Sequence, residues 1–333
     1  MINNIKKGVR TAEFVSPLHP DKICDFIADS LLDLYLASDP SSRVAIEVMG
    51  GHDLITINGE VTSSFSFDIP KEVLNILSRL NIKQENFKVI SNIKLQSSEI
   101  SRGVDLGGAG DQGIMLGYAT NETANFMPLE YELARELNRT IFEIYPYDGK
   151  TQVTLDGAKL VAVVASFQNT KNQDLLKIVK SKLESFEGLD TSETKYLINP
   201  SGEWVEGGFD ADTGLSGRKL IVDNYGPEVR IGGGSFSGKD YTKVDRSGAY
   251  IARKIAVDLL AKYSASEVIV KLAYAIGIKD SVMQVAIVDG KEIIIEGYDL
   301  SPKGIFETLN LAQVSFAETS KFGHFGMGFN WDK

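Results

Sequence analysis

Residues 232–246 read GGGSFSGKDYTKVDR and hold four glycines and two lysines in one short stretch. The run before them, residues 219–223, predicts a strand, and the periodic segment from about Ser247 predicts a helix. A glycine-rich loop that enters a helix offers free backbone N–H groups and the positive end of the helix dipole to an anion. This order of elements favours an anion site at the junction.

The loop also resembles a nucleotide-binding P-loop without completing the motif. Residues 233–239, GGSFSGK, match most of it, but Asp240 follows where the motif requires Ser or Thr. Lys239 and Lys243 supply point charges that suit phosphate. Two interpretations stay open at this point. The loop is either a non-standard phosphate site, which we favour, or a plain connection with solvated lysines.

Composition narrows the class of protein. A chain of 333 residues predicts two or three domains, and 43% hydrophobic with 24% charged residues is typical of a soluble globular protein. The net charge of −10 argues against nucleic acid or a membrane surface as partner. Cys24 is the single cysteine, and its apolar helical surroundings predict a core position. We see no signal peptide or membrane span in the sequence, and we expect a cytoplasmic location.

One order of predicted elements recurs three times: strand, helix, two strands, helix, strand. The antiparallel hairpins within it argue against a doubly wound parallel sheet. We therefore predict an α/β fold of the α+β type, with three similar βαββαβ domains and helices on one side of each sheet. Approximate boundaries are residues 1–100, 101–205 and 206–333, and the domains may exchange strands. The last pass includes a helix over residues 302–311 and a weak final strand.

The first helix, residues 20–37, carries aspartates at four-residue spacing. We expect Asp25, Asp29 and Asp33 on a solvated face, whereas Asp21 suits the first helical turn. His19 stands just outside the helix, and its role stays open between an electrostatic donor or general acid and a helix cap. The two strands that follow are expected to place Glu47 and Glu60 on their inner side.

Two further features bear on function. Residues 96–110 form a long polar segment with four glycines, which predicts either a mobile lid or a disordered connection. Charged residues gather where predicted strands begin or end, and lysines and arginines beside isolated aspartates suit a polyphosphate with divalent cations. One cysteine and three histidines do not predict a zinc cage. The charged residues are His19, Asp21, Lys22, Asp111, Asp148, Lys150, Asp212, Arg218, Lys219 and those of the 232–246 loop.

Five motifs in order resemble the S-adenosylmethionine synthetase (methionine adenosyltransferase) family over nearly the whole chain. They are HPDK (19–22), GAGDQG (108–113), RK (218–219) after DTGLSG, GGGSFSGKD (232–240) with KVDR (243–246), and GHFG (323–326). The resemblance implies three domains with pseudo-threefold symmetry, and a homodimer or homotetramer with shared active sites. It implies transfer of adenosyl from ATP to the sulfur of L-methionine. The released tripolyphosphate would then be hydrolysed to phosphate and pyrophosphate.

The resemblance also implies roles by position, with Mg²⁺ and K⁺ as cofactors. The implied catalytic residues are His19, Lys150, Arg218, Lys239 and Lys243. The implied ATP-binding residues are His19, Asp148, Lys150, Glu203, Trp204, Asp212, Arg218, Lys219, Ser235 and Lys239. The implied methionine-binding residues are Glu60, Gln96, Asp212 and Lys243. Asp21 and Asp245 would bind Mg²⁺, Glu47 would bind K⁺, and residues 96–106 would form the lid.

This chain departs from the family pattern at three places. Pro17-Leu18 replaces Glu-Gly before the histidine, Glu203-Trp204 replaces Arg followed by an aromatic residue, and Ser235 replaces alanine. Two other classes of function stay open on the sequence. One is an ATP-dependent phosphotransferase with a degenerate P-loop, which would not need methionine. The other is a regulatory module that binds ATP without releasing phosphate.

Overall fold

The computed structural model describes residues 5–83, 87–97, 103–104 and 106–333. Within these ranges it forms three four-stranded sheets with helices packed against them, which confirms the predicted fold class. The strands are β1 Val9–Val15, β2 Arg43–Gly51, β3 Leu54–Thr62, β4 Lys88–Lys94, β5 Gly113–Thr120, β6 Gly149–Asp156, β7 Lys159–Phe167, β8 Lys195–Ile198, β9 Gly214–Leu215, β10 Glu267–Tyr274, β11 Met283–Val288 and β12 Lys291–Ile293.

The described ranges contain eight α-helices. They are α1 Pro20–Ser38, α2 Ile69–Arg79, α3 Leu129–Ile144, α4 Asn172–Glu184, α5 Leu220–Asp223, α6 Val244–Tyr263, α7 Pro302–Thr308 and α8 Phe316–Thr319. None of them is long and apolar enough to cross a membrane.

The sheets do not follow chain order. The N-terminal sheet has the order β4-β3-β2-β9, the central sheet β1-β6-β7-β8, and the C-terminal sheet β12-β11-β10-β5. β1 runs antiparallel to β6, and β5 runs antiparallel to β10. The first strand of the chain therefore belongs to a sheet built mainly from residues 149–198. Likewise β5 belongs to a sheet whose other strands come after residue 266.

Alternation along β2 separates the core face of the N-terminal sheet from its open face. Val44, Ile46 and Val48 are buried beneath α1, whereas Glu47 is exposed between them. Glu60 on β3 is exposed as well. The prediction that these two glutamates lie on an inner side is therefore wrong. The sheet turns its apolar residues toward the helices, so the carboxylates fall on the opposite face.

Helix α1 begins at Pro20, a residue suited to the first helical position. It buries apolar side chains against the N-terminal sheet, and Cys24 is fully buried as predicted. The predicted solvated acidic face is wrong, because Asp25 and Asp29 are also fully buried. Their carboxylates accept hydrogen bonds from distant loops, and Asp33 accepts the N–H groups of residues 316 and 317.

Three local predictions also need correction. Residues 219–223 do not form a strand, since Leu220–Asp223 is the short helix α5. The helix after the glycine-rich loop starts at Val244, because Lys243 already takes the N-cap position. Residues 309–333 contain short helical turns and no final strand. By contrast, β6 and β7 form the predicted hairpin across Asp156-Gly157.

The predicted lid spans residues 96–106, and six of these residues are not among those that the structure describes. Residues 98–102 and 105 lie outside the described residues. Gln96 is described, and its side-chain oxygen is buried without a hydrogen-bond partner among the described residues.

Candidate active site

His19 stands at the N-terminus of α1, where it is 4% exposed. Its Nδ1 accepts the backbone N–H of Asp21 at 3.2 Å, so the side chain caps the helix. Burial lowers its pKa to about 3, with help from the charges of Lys219 and Lys150. The ring is therefore neutral at ordinary pH and carries its proton on Nε2, because Nδ1 acts as an acceptor. Capping and hydrogen-bond donation are thus compatible roles for one side chain.

Asp21 joins α1 to the segment of residues 212–219. Its Oδ1 accepts the N–H of Leu215 at 2.9 Å, and its Oδ2 lies 2.5 Å from Nζ of Lys219. Arg218 Nε is 3.4 Å from Oδ1, yet the Arg218 side chain remains 53% exposed. Burial opposes ionisation of Asp21, but the hydrogen bonds from Lys219 and Leu215 hold its pKa below the usual value. One carboxylate thus gathers two cations at the helix start.

The beginning of β6 adds charges beside His19. Lys150 is exposed there, and its charge contributes to the lowered pKa of His19, whereas that of Asp212 acts in the opposite sense. Asp148 is buried and accepts the N–H of Gly208 at 3.0 Å through Oδ2. Its Oδ1 is buried without a partner among the described residues, and burial raises its pKa. An unpaired acceptor of this kind suits a ligand that donates a hydrogen bond.

The glycine-rich loop extends the N-terminal sheet next to β2. Ile46 N–H donates to Gly238 O at 3.0 Å, and Asp240 N–H donates to Val44 O at 3.2 Å. Gly238 has φ +79°, and a Cβ there would lie 2.0 Å from Ile46 O. Only glycine fits this backbone. The pairing places Lys239 opposite Ala45, on the strand that carries Glu47.

Lys239 pairs with a carboxylate from the helix that follows the loop. Its Nζ lies 2.7 Å from Oδ2 of Asp245, and Gly234 N–H donates to Oδ1 of the same carboxylate at 3.1 Å. A Cβ on Gly234 would lie 2.7 Å from that carboxylate. The loop therefore already holds an oxyanion between a backbone N–H and a lysine.

Asp240, the residue that breaks the P-loop motif, is fully buried. It accepts the N–H of Val44 at 2.6 Å and that of Thr242 at 2.8 Å, and it pairs with Nζ of Lys243 at 2.5 Å. A carboxylate is needed because three donors converge on it. Asp240 thus closes the loop against β2 and holds the Lys243 side chain.

The segment of residues 212–219 meets this loop and the open face of the sheet. A Cβ on Gly217 would lie 2.4 Å from Cβ of Ser235. Ser216 Oγ donates to Glu47 at 2.5 Å. Although the Glu47 side chain as a whole is exposed, neighbouring groups partly desolvate its carboxylate and raise its pKa, and the hydrogen bond from Ser216 offsets part of the effect. Residues from three parts of the sequence therefore lie side by side here.

Glu203 and Trp204 make contacts within the central part of the chain. Glu203 accepts the N–H of Asn172 at 3.0 Å and pairs with Lys171 at 2.9 Å, so it caps α4. Trp204 Nε1–H donates to Ser166 Oγ at 3.1 Å. Capping of a helix by a residue 31 positions away has no local sequence signal.

Lys22 and Arg246, which the sequence placed among the charged residues suited to a polyphosphate, are instead buried behind the site. Lys22 is fully enclosed between Asp25 and Asp223, and Arg246 is enclosed against Asp29. The one signal was the four-residue spacing of the aspartates, which is equally typical of a solvated face. Across the described part of the chain, no group of three or more His, Cys, Asp or Glu could hold a metal ion.

These features define an α/β enzyme whose site, rich in cations with isolated carboxylates, suits a small polyanionic substrate. Three family models match in order: the S-adenosylmethionine synthetase N-terminal domain over residues 7–99, the central domain over 106–204 and the C-terminal domain over 206–333. The chain belongs to the S-adenosylmethionine synthetase family. Its reaction is the formation of S-adenosylmethionine from ATP and L-methionine.

Individual relatives agree. The chain is 40% identical to an S-adenosylmethionine synthase of Mycoplasmopsis synoviae, over 98% of this chain and 95% of that one. It is also 40% identical to that of Clostridium tetani, over 95% and 93%. An unusual S-adenosylmethionine synthetase from Campylobacter jejuni has a similar solved structure, with TM-score 0.89, 31% identity and coverage of 98% and 97%.

Proposed function

We propose that the charged cluster at the α1 N-terminus and the glycine-rich loop together bind the triphosphate of ATP while methionine sulfur attacks C5′. Methionine sulfur is the nucleophile, so the protein needs no nucleophile of its own. Alignment of two substrates and stabilisation of the departing charge are what it must supply. The observation that carries the proposal is the convergence of His19, Lys219 and Arg218 around Asp21.

His19 would donate Nε2–H to the leaving oxygen. Since its pKa is about 3, it acts as a neutral donor rather than as an imidazolium acid. Lys150, Arg218, Lys219 and Lys239 would bind the phosphates, and Lys243 would support the loop and methionine. Asp148, Asp212, Ser235 and Trp204 would contact the nucleoside side of ATP, whereas the capping contacts of Glu203 favour a supporting role. The released tripolyphosphate would be hydrolysed on the same cations.

A divalent metal, which we take to be Mg²⁺, would bind together with the substrate. Asp21 and Asp245 each offer one carboxylate next to a lysine, and Mg²⁺ commonly takes one or two carboxylates plus phosphate oxygens. The residues fit this substrate-linked mode. When bound, the metal neutralises charge on the phosphates. Lys219 and Lys239 would then be released from their carboxylates to contact phosphate oxygens directly.

The open face of the N-terminal sheet would form the part of the site that binds methionine. Glu60 and Gln96 supply polar groups there, and Glu47 is a candidate K⁺ ligand. The same face exposes apolar side chains, including Met49, Ile90 and Leu215. Exposed apolar patches commonly mark interfaces, so we propose a homodimer or homotetramer with active sites shared across this face. A cytoplasmic location stays a proposal that rests on composition.

Product identification tests this proposal directly. The protein is incubated with ATP, Mg²⁺ and K⁺, with and without L-methionine. We expect S-adenosylmethionine, phosphate and pyrophosphate only when methionine is present. Formation of ADP without methionine would indicate a phosphotransferase, and ATP binding without phosphate release would indicate a regulatory module. Sedimentation at the assay concentration tests the interface, since a fully active monomer would contradict shared sites.

A further inference from the structure

The four aspartates of α1 form a ladder that holds loops from distant parts of the chain. We call Asp21, Asp25, Asp29 and Asp33 the aspartate ladder. Each accepts at least one backbone N–H from outside the helix, and each is spaced about 6 Å from the next, given a rise of 1.5 Å per residue. The acceptors and donors are Asp21 with Leu215, Asp25 with Gly217, Asp29 with Gly238, and Asp33 with Phe316 and Ala317.

Asp29 is tied most tightly to the glycine-rich loop. It accepts Gly238 N–H at 2.8 Å and both terminal nitrogens of Arg246, at 2.6 and 2.8 Å. Arg246 in turn donates to the carbonyl oxygens of Phe236 at 3.0 Å and Lys239 at 3.2 Å. Three backbone groups around Lys239 are therefore fixed by one buried ion pair.

Asp25 plays the corresponding part for the other cationic segment. It accepts Gly217 N–H at 2.8 Å, immediately before Arg218, and its second oxygen accepts from Lys22 at 2.8 Å. Lys22 also donates to Asp223 at 2.5 Å, at the far end of α5. The segment that carries Arg218 and Lys219 is thus held on both sides.

We propose that Asp25 and Asp29 are positioning residues for the reaction: through α1 they set the distance between the Arg218–Lys219 segment and Lys239. Neither carboxylate is exposed, so neither reaches substrate. Their effect passes through the loop backbone. Misplacement of a binding group by about 1 Å costs about 10²-fold in rate, so a rigid common support matters. This inference rests on the proposed phosphate-binding role of Lys239.

Asp29→Asn is the first test, with Asp33→Asn as the matched control. Both variants keep side-chain shape and remove one charge from the same face of the same helix. We expect kcat to fall about 10²-fold in Asp29→Asn and to stay within about twofold in Asp33→Asn. KM for methionine should change little in either. Equal losses of kcat in the two variants would overturn the proposal.

A double variant separates positioning from stability. Asp29→Leu with Arg246→Met replaces the buried ion pair by apolar side chains, a change that folded proteins often tolerate. We expect its Tm to exceed that of Asp29→Asn, which leaves the buried Arg246 charge without its full partner. We expect kcat to stay low, because the loop carbonyls and Gly238 N–H lack their partners. Recovery of kcat along with Tm would show that Asp29 is merely structural.

A mutant cycle tests whether Asp29 acts through Lys239. If it does, Asp29→Asn combined with Lys239→Ala should be no slower than Lys239→Ala alone. A further fall in the double variant contradicts the proposal. Near-normal turnover of Lys239→Ala alone overturns the proposed role of the loop together with this inference. Impaired Lys239→Ala beside normal Asp29→Asn overturns only the positioning inference.

Discussion

The glycine-rich loop and the segment of residues 212–219 both bring lysines to the site, but the partners of these lysines lie at different distances along the sequence. Lys239 pairs with Asp245 and Lys243 with Asp240, six and three residues away. Lys219 instead pairs with Asp21, 198 residues away on α1. Local pairs move with their loop, whereas the distant pair holds only while the segment is docked. The lysine pairs of the loop therefore do not involve α1, whereas the lysine pair of the segment does.

The largest expected effect comes from the local pair. Lys239→Ala should lower kcat on the order of 10²–10³-fold, because it removes a preorganised donor and leaves the Asp245 carboxylate unneutralised beside the phosphates. Lys254→Ala is the matched control, since Lys254 lies on α6 and pairs with Asp258 four residues on. Steady-state kinetics should show normal turnover for this control. Near-normal turnover of Lys239→Ala would remove the loop from the active site.

The distant pair can be tested through the metal requirement. Asp245→Asn should raise the Mg²⁺ concentration for half-maximal activity by about tenfold, the loss of roughly 1.4 kcal/mol. Asp21→Asn should raise this concentration further, because it also releases Lys219 and the Leu215 backbone. Mg²⁺ titrations of initial rate decide the point. An unchanged titration in both variants would contradict metal binding. An equal rise in the two variants would contradict the expected difference between the distant pair and the local pair.

The burial of His19 at the start of α1 should make the free energy of unfolding depend on pH. The pKa of His19 is about 3 in the folded chain against 6.5 ordinarily, so the unfolded chain binds more protons between those values. Stability contributed by neutral His19 is complete above pH 6.5 and is lost as pH falls toward 3. Urea unfolding at pH 7.5 and 5.5 should show a larger loss for the natural chain than for His19→Asn. The same loss in both would mean that His19 titrates normally.

The smallest effect is expected at Glu203, which stands outside both regions. Glu203→Ala should leave KM for ATP unchanged, because the side chain caps α4 and pairs with Lys171. The lost cap should lower Tm by about 2 °C or less. Kinetics at varied ATP and a thermal melt measure both quantities. A several-fold rise in KM for ATP would place Glu203 in the nucleotide site.

The sequence predicted elements whose signals are local. The periodicity of α1, the hairpin at Asp156-Gly157 and the fold class depend on spacing of a few residues, and the structure bears them out. The short run at residues 219–223 was mistaken for a strand because apolar residues over so few positions do not distinguish strand from helix.

The support of the site could not be predicted, because its partners lie far apart in the chain. Asp29 meets Arg246 at a separation of 217 residues, and Asp25 meets Gly217 at 192. A stripe of aspartates has the same spacing whether it faces water or buried N–H groups. Charge and period alone do not separate these cases.

Because β1 lies in the central sheet and β5 in the C-terminal sheet, the order of synthesis limits when each sheet can form. β1 is synthesised before its neighbour β6, which begins at Gly149. β5 is likewise synthesised well before its neighbour β10, which begins at Glu267. Neither strand completes its sheet while the chain is short, so nascent chains carry unpaired edges over a long window of translation. If the chain were divided after residues 100 and 205, each piece would miss a strand of its sheet or contain a strand without its partner. Such pieces should fold poorly alone and assemble only when all of them are made together.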